Sequence, residues 1–108
     1  MHFAEAGKKT KRVVGDFEKN RKRKWTPEVM LTDLAEEVGE LSNAILVREG
    51  YKSVKRKKAN LTDSLCDILF DIFMIADHYG VDLEKEYGKV LKELEARLKR
   101  GEFSHPAG

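Results

Sequence analysis

Apolar residues recur along this chain at helical spacing and nowhere alternate at the period of two that marks a strand. The first strong pattern follows Trp25-Thr26-Pro27-Glu28. Thr26 has the chemistry of an N-cap, Pro27 suits the first helical position, and Glu28 suits the positive end of the helix dipole. The helix is predicted to run to about Arg48, with Gly50 as its stop. At about 100° per residue, Leu31, Leu34, Val38, Leu41 and Ile45 fall on one face. Glu36, Glu37 and Glu40 lie on the neighbouring arc, with Glu37 nearest the apolar edge. A second strong pattern begins at an Asn60 or Thr62 cap and ends near Tyr79, where Gly80 supplies a left-handed stop. A third runs from an Asp82 cap, Leu83 to Arg100, with the stripe Leu83, Tyr87, Val90, Leu91, Leu94 and Leu98. Before Trp25 the pattern is weaker. Val13, Val14 and Phe17 suit a first helix, whereas Gly7 and Gly15 oppose it and Met1–Thr10 reads as disordered. Short connections favour antiparallel neighbours. The expected fold is therefore all-α: an antiparallel bundle of three strong helices plus a weaker N-terminal helix.

The second helix poses a chemical problem. Leu65, Cys66, Ile68, Leu69, Phe70, Ile72, Phe73, Ile75 and Ala76 make it apolar nearly all round, the mark of a buried helix. Yet Asp63, Asp67 and Asp71 form a row along it, at i, i+4 and i+8. Aspartate is a poor mid-helix residue, and an unpaired buried carboxylate is costly. Asp63 is explained by the dipole at the first turn; Asp67 and Asp71 are not. The spacing leaves two partners open: lysines or arginines of another helix, or a metal ion held between this row and Glu36, Glu37 and Glu40.

With 108 residues the chain is expected to form one domain: a weakly ordered basic segment over 1–24, a helical core over 25–100 and a tail over 101–108. A core of that size does not cover such wide apolar faces, so the bundle is expected to be completed by oligomerisation, as a homodimer or homotetramer. The net charge is only +2, from 21 basic and 19 acidic side chains, which gives no general argument for nucleic acid. The bases nevertheless cluster at Lys8–Arg12, Arg21–Lys24 and Lys52–Lys58. A non-catalytic helical oligomer that binds nucleic acid or a protein through these segments is the alternative reading. One cysteine, Cys66, excludes an intramolecular disulfide framework and reads as a buried thiol in a reducing, cytoplasmic compartment. No apolar signal segment opens the chain, and the run Leu65–Ala76 is too short for a membrane.

Glycine-rich phosphate loops, CxxC and HExxH are absent, and so is the Glu-x-x-His pair of di-iron bundles. Ser42, Ser53 and Ser64 have no sequence company that suggests a triad. His2 and His105 lie in the termini, and His78 suits a helix C-terminus as a cation.

Glu36-Glu37-Val38-Gly39-Glu40-Leu41 resembles the EExxE motif of the MazG-like nucleotide pyrophosphohydrolases, and Asp67-Ile68-Leu69-Phe70 resembles the second half of their ExxD motif. The Trp25-Thr26-Pro27 start and the Gly80-Val81-Asp82-Leu83 turn are similar too, so the resemblance covers roughly Lys24 to Arg100. It implies an enzyme that cleaves nucleoside triphosphates to monophosphate and pyrophosphate with Mg²⁺, for which Mn²⁺ can substitute. It implies Glu37, Glu40 and Asp67 as metal ligands, with Glu36 as a further ligand or as the base that orients water alongside Glu37. The chain departs from the motif at Ser64, where the family has a glutamate. Asp63 and Asp71 are the candidates to replace it. Asp71, with no dipole to explain it, is the expected one. Lys89, Lys92 and Arg100 are candidates to hold the outer phosphates, and Trp25 to stack on the base.

Overall fold

The computed structural model describes residues 1–53 and 60–104, and these form four helices. They are α1 (Phe3–Asn20), α2 (Pro27–Arg48), α3 (Leu61–His78) and α4 (Leu83–Lys99). The strong starts are local chemistry. The Val29 N–H donates to Thr26 Oγ1 at 3.3 Å, that of Asp63 to Asn60 Oδ1 at 3.1 Å, and that of Lys85 to Asp82 Oδ1 at 3.2 Å. Asn60, not Thr62, is thus the cap of α3. Gly50, Gly80 and Gly101 take the left-handed conformation after α2, α3 and α4, with φ of 83°, 66° and 76°. The basic connector between α2 and α3 lies outside the described residues over 54–59, and so does the tail from 105.

The centre of the fold is α3. α2 packs along one side of it and α1 along another. Val14, Met30 and Met74 are the buried nucleus, with Trp25, Phe70 and Ile75 packed around them. Burying a methionine of this kind stabilises by about 1.5–3 kcal/mol. α1 begins at Phe3, not beyond Thr10. Its first turns are held because Phe3 lies 5.0 Å from Phe73, ring centre to ring centre, and its last because Phe17 meets Phe70 edge-on at 6.2 Å. Gly7 passes close over the Phe73 ring, and Lys11 reaches Asp77 at 3.6 Å.

Three sequence expectations change here. First, the α2 face turned to α3 is Met30, Asp33, Glu37, Leu41 and Ala44, while Leu31, Val38 and Ile45 are exposed. The buried arc is rotated by roughly 80° from the one the apolar residues alone suggest. Second, α3 is not buried all round: Leu65, Leu69 and Ile72 face outward, and Cys66 is exposed. The thiol of Cys66, expected in a core, meets solvent. Third, α4 buries no residue, and its stripe of Tyr87, Val90, Leu91, Leu94 and Leu98 is exposed. The radius of gyration shows the consequence: it is 17.9 Å, against about 13 Å for a compact domain of this length.

Candidate functional site

α2 and α3 run antiparallel, and the acidic residues meet along their seam. Met30 packs with Met74 in the core. One turn along α2, Asp33 comes within hydrogen-bonding reach of Asp71. One turn further, Glu37 faces both Asp71 and Asp67. Each step forward on α2 is matched by a step back on α3. Glu40 is the next acid along α2 and adds to the negative charge around Glu37, as does Glu36. Both are exposed.

Asp71 is the deepest of these groups, only 2% exposed. Burial pushes its carboxyl up to about 7; Asp33, by hydrogen bond and by charge, and then Glu37 and Asp67 add to the effect. Two ionised carboxylates cannot hydrogen-bond each other, so the contact with Asp33 favours the protonated form of Asp71. Glu37 is half-buried and is likewise raised, by burial first and then by Asp67, Asp33, Glu40 and Glu36. Among the described residues, Asp71 Oδ2 and Glu37 Oε2 are buried without a hydrogen-bond partner. Among the described residues no Lys or Arg side chain pairs with them: the ion pairs join Lys11 of α1 to Asp77 in the last turn of α3, or lie within α4 and the C-terminal turn.

The donor set is all carboxylate oxygen, which suits a hard divalent cation. The two orphaned buried oxygens are the positions such a cation would satisfy, so the residues fit one in chemistry. The side chains do not converge on a point: among the described residues, no three His, Cys, Asp or Glu side chains stand close enough to chelate one ion.

Of the other residues singled out by sequence, only Ser64 shares this seam. Ser64 is buried at 4% exposure on the α2-facing side of α3. Asp63 is exposed on the first turn, its backbone N–H held by Asn60. Trp25 packs against the core, and one face of its ring is covered by the Arg21 guanidinium at 3.8 Å. Lys89 pairs with Glu86 at 3.4 Å, Arg100 pairs with Glu102 at 2.7 Å and Glu93 at 3.5 Å, and Lys92 is exposed. All three cations ride on or just beyond α4, outside the packed core. The sequence reading missed Asp33. The signal was present: Met30, Asp33, Glu37 and Ala44 share one helical face, but the larger apolar set beside them outweighed it. A separate cleft lined by Phe3, Gly7, Lys8, Phe73, Val81 and Leu83 shares no residue with the acidic seam.

Comparison with known proteins agrees with this architecture. The uncharacterized protein YpjD of Bacillus subtilis (strain 168) is 27% identical over 90 residues, covering 82% of this chain and 78% of the relative. The crystal structure of YPJD from Bacillus subtilis superposes with a TM-score of 0.73 at 24% identity, covering 90% of this chain and 96% of that one, and so shares the fold. Residues 25–101 match the MazG nucleotide pyrophosphohydrolase domain, from the Trp25 start of α2 to the Gly101 stop of α4. That match spans most of the chain and all of its acidic seam, and the chain belongs to the MazG nucleotide pyrophosphohydrolase family.

Proposed function

We propose that this protein hydrolyses nucleoside or deoxynucleoside triphosphates to the monophosphate and pyrophosphate in a Mg²⁺-dependent reaction, with Mn²⁺ able to substitute. The observation that carries the reading is the seam itself: two facing rows of carboxylates with orphaned, buried oxygens on Glu37 and Asp71. A triphosphate brings about four negative charges, and an uncompensated acidic seam repels it. Glu37, Glu40, Asp67 and Asp71 would hold the cation. A bound Mg²⁺ supplies a reversal of the local charge, polarisation of the phosphoryl oxygens and a more acidic water. The chain's own contribution is to aim that water. Glu36 and Glu37 stand at the exposed and half-buried edges of the seam. Glu36 and Glu37 would take the proton from the water that attacks the α-phosphorus. Cleavage between the α and β phosphates then releases pyrophosphate.

The assembly we propose is a homodimer or homotetramer. On α2, Leu31, Val38 and Ile45, and on α3, Leu65, Leu69 and Ile72, are exposed. The stripe of α4 is uncovered as well. A second copy would cover these faces and would also bring the Lys89, Lys92 and Arg100 cations of α4 against a core. Among the described residues, no helix is long and apolar enough to cross a membrane, and we place the enzyme in the cytoplasm with nucleotides, not nucleic acid, as its ligands. The test is product analysis with each common nucleoside triphosphate. The reading predicts monophosphate and pyrophosphate in Mg²⁺ and neither in EDTA. Inorganic phosphate with a diphosphate, or equal turnover in EDTA, contradicts it.

A further inference from the structure

We infer that Arg21 is an anion-binding residue: its guanidinium, stacked between Phe17 and Trp25, takes an oxyanion of the phosphate class at the α1–α2 connection. Arg21 follows α1 directly, on extended backbone with φ of −88° and ψ of 141°. Its guanidinium carbon lies 3.8 Å from the centre of the Trp25 ring and 5.3 Å from that of Phe17. Both rings are anchored, Trp25 on the Val14–Met30–Met74 nucleus and Phe17 on Phe70. The guanidinium is therefore held in place before any ligand arrives, which lowers the ordering cost of binding. A cation here also suits the C-terminus of α1, but the dipole accounts only for the charge. Among the described residues Arg21 makes no ion pair, and its Nη1 is buried without a hydrogen-bond partner. A buried donor left unmatched is costly, the more so on a charged group. Ring faces attract the charge; they do not supply the acceptor oxygen that the N–H groups need. A guanidinium keeps its proton, so an anionic oxygen is its best match. Lys22, Arg23 and Lys24 follow directly and are exposed. Four cations in succession favour a multiply charged oxyanion over a lone carboxylate. Arg21 itself stays partly open to solvent, so the oxyanion meets the guanidinium on that side and draws Nη1 out to it. On α4, by contrast, Lys89 already pairs with Glu86, as Arg100 beyond it does with Glu93 and Glu102. The inference needs neither the acidic seam nor turnover.

Trp25 is the only tryptophan of the chain, so its fluorescence reports on the stack. The full chain is titrated with pyrophosphate in EDTA, with NaCl holding the ionic strength constant, and calorimetry measures the same binding without the reporter. Wild type is expected to give a saturable change by both methods. Arg21→Lys keeps the charge but loses the planar fork, and should bind pyrophosphate about tenfold or more weaker. Arg21→Gln should lose the binding, whereas Lys22→Gln should weaken it only a few-fold. Circular dichroism and melting check that each variant folds; if Arg21→Gln does not, Arg21→Lys decides. A second titration with inorganic phosphate separates the sources of the oxyanion. Binding much weaker than that of pyrophosphate assigns the site to the phosphate chain of a nucleotide, and equal binding assigns it to free phosphate. No saturable binding of either ion to wild type overturns the inference. So does wild-type binding by both Arg21 variants, which would leave the stack a purely structural clamp.

Discussion

Replacing Asp71 by asparagine should make the metal-free protein more stable, and by an amount that grows with pH. In the folded chain the Asp71 carboxyl is raised from 3.8 to about 7 by burial and by Asp33, Glu37 and Asp67. Unfolded, it titrates near its ordinary value. Below about pH 4 both states hold the proton and the group has no effect on stability. As pH rises, the unfolded chain releases its proton first and the folded chain resists, so stability falls through the window from about 4 to about 7 and then levels off. A rise of that size amounts to about 4 kcal/mol, since each tenfold gain in proton affinity is worth about 1.4 kcal/mol. Neighbouring carboxylates share in that cost, so about 2–4 kcal/mol is expected for Asp71 alone. Asparagine keeps the shape and can donate a hydrogen bond to Asp33, so it stays neutral without leaving a new hole. Thermal melts in EDTA at one fixed protein concentration, from about pH 4 to about pH 8, read the difference. Asp71→Asn should match wild type at the acid end and melt roughly 10–20 °C higher at the alkaline end. A variant less stable than wild type at the alkaline end, or a gap that does not change with pH, would refute the reasoning.

Two further outcomes follow from the same structure. Light scattering at micromolar concentration should give a dimer or tetramer, because α4 and the outer faces of α2 and α3 leave their apolar residues uncovered; a monomer mass would count against it. Gly80→Ala should cost about 1–2 kcal/mol in thermal or urea unfolding, since Gly80 has φ of 66°. An unchanged melting temperature would show that the α3–α4 turn has another conformation in solution.

How much of this was legible in the sequence varies with the range of the interaction. Thr26, Asn60 and Asp82 each bond a backbone N–H three residues on, and Gly50, Gly80 and Gly101 answer only to their own φ. Such features are local and can be read residue by residue. The burial of Asp71 was also legible, because an aspartate among Phe70, Ile72 and Phe73 needs a reason. The rotation of α2 was not. Leu31, Val38 and Ile45 are as apolar as any core residue, and only the partner helix decides that Met30 and Ala44 go inward with Asp33 and Glu37 between them. The stripe of α4 shows that the helix wants a partner and not whose surface supplies it. Cys66 failed for a similar reason: its exposure depends on which helices pack over that part of α3. Phe3 was undervalued because its anchor, Phe73, lies 70 residues away in the chain.

The most direct test of the account is the rate of pyrophosphate release from nucleoside triphosphate in saturating Mg²⁺, compared between wild type, Glu40→Gln and Asp67→Asn. The account predicts that wild type turns over, and that both variants lose at least a hundredfold in rate, about 2.7 kcal/mol in the barrier, while keeping the helical circular dichroism of wild type. Wild-type rates in both variants would show that the acidic seam is not where the chemistry takes place.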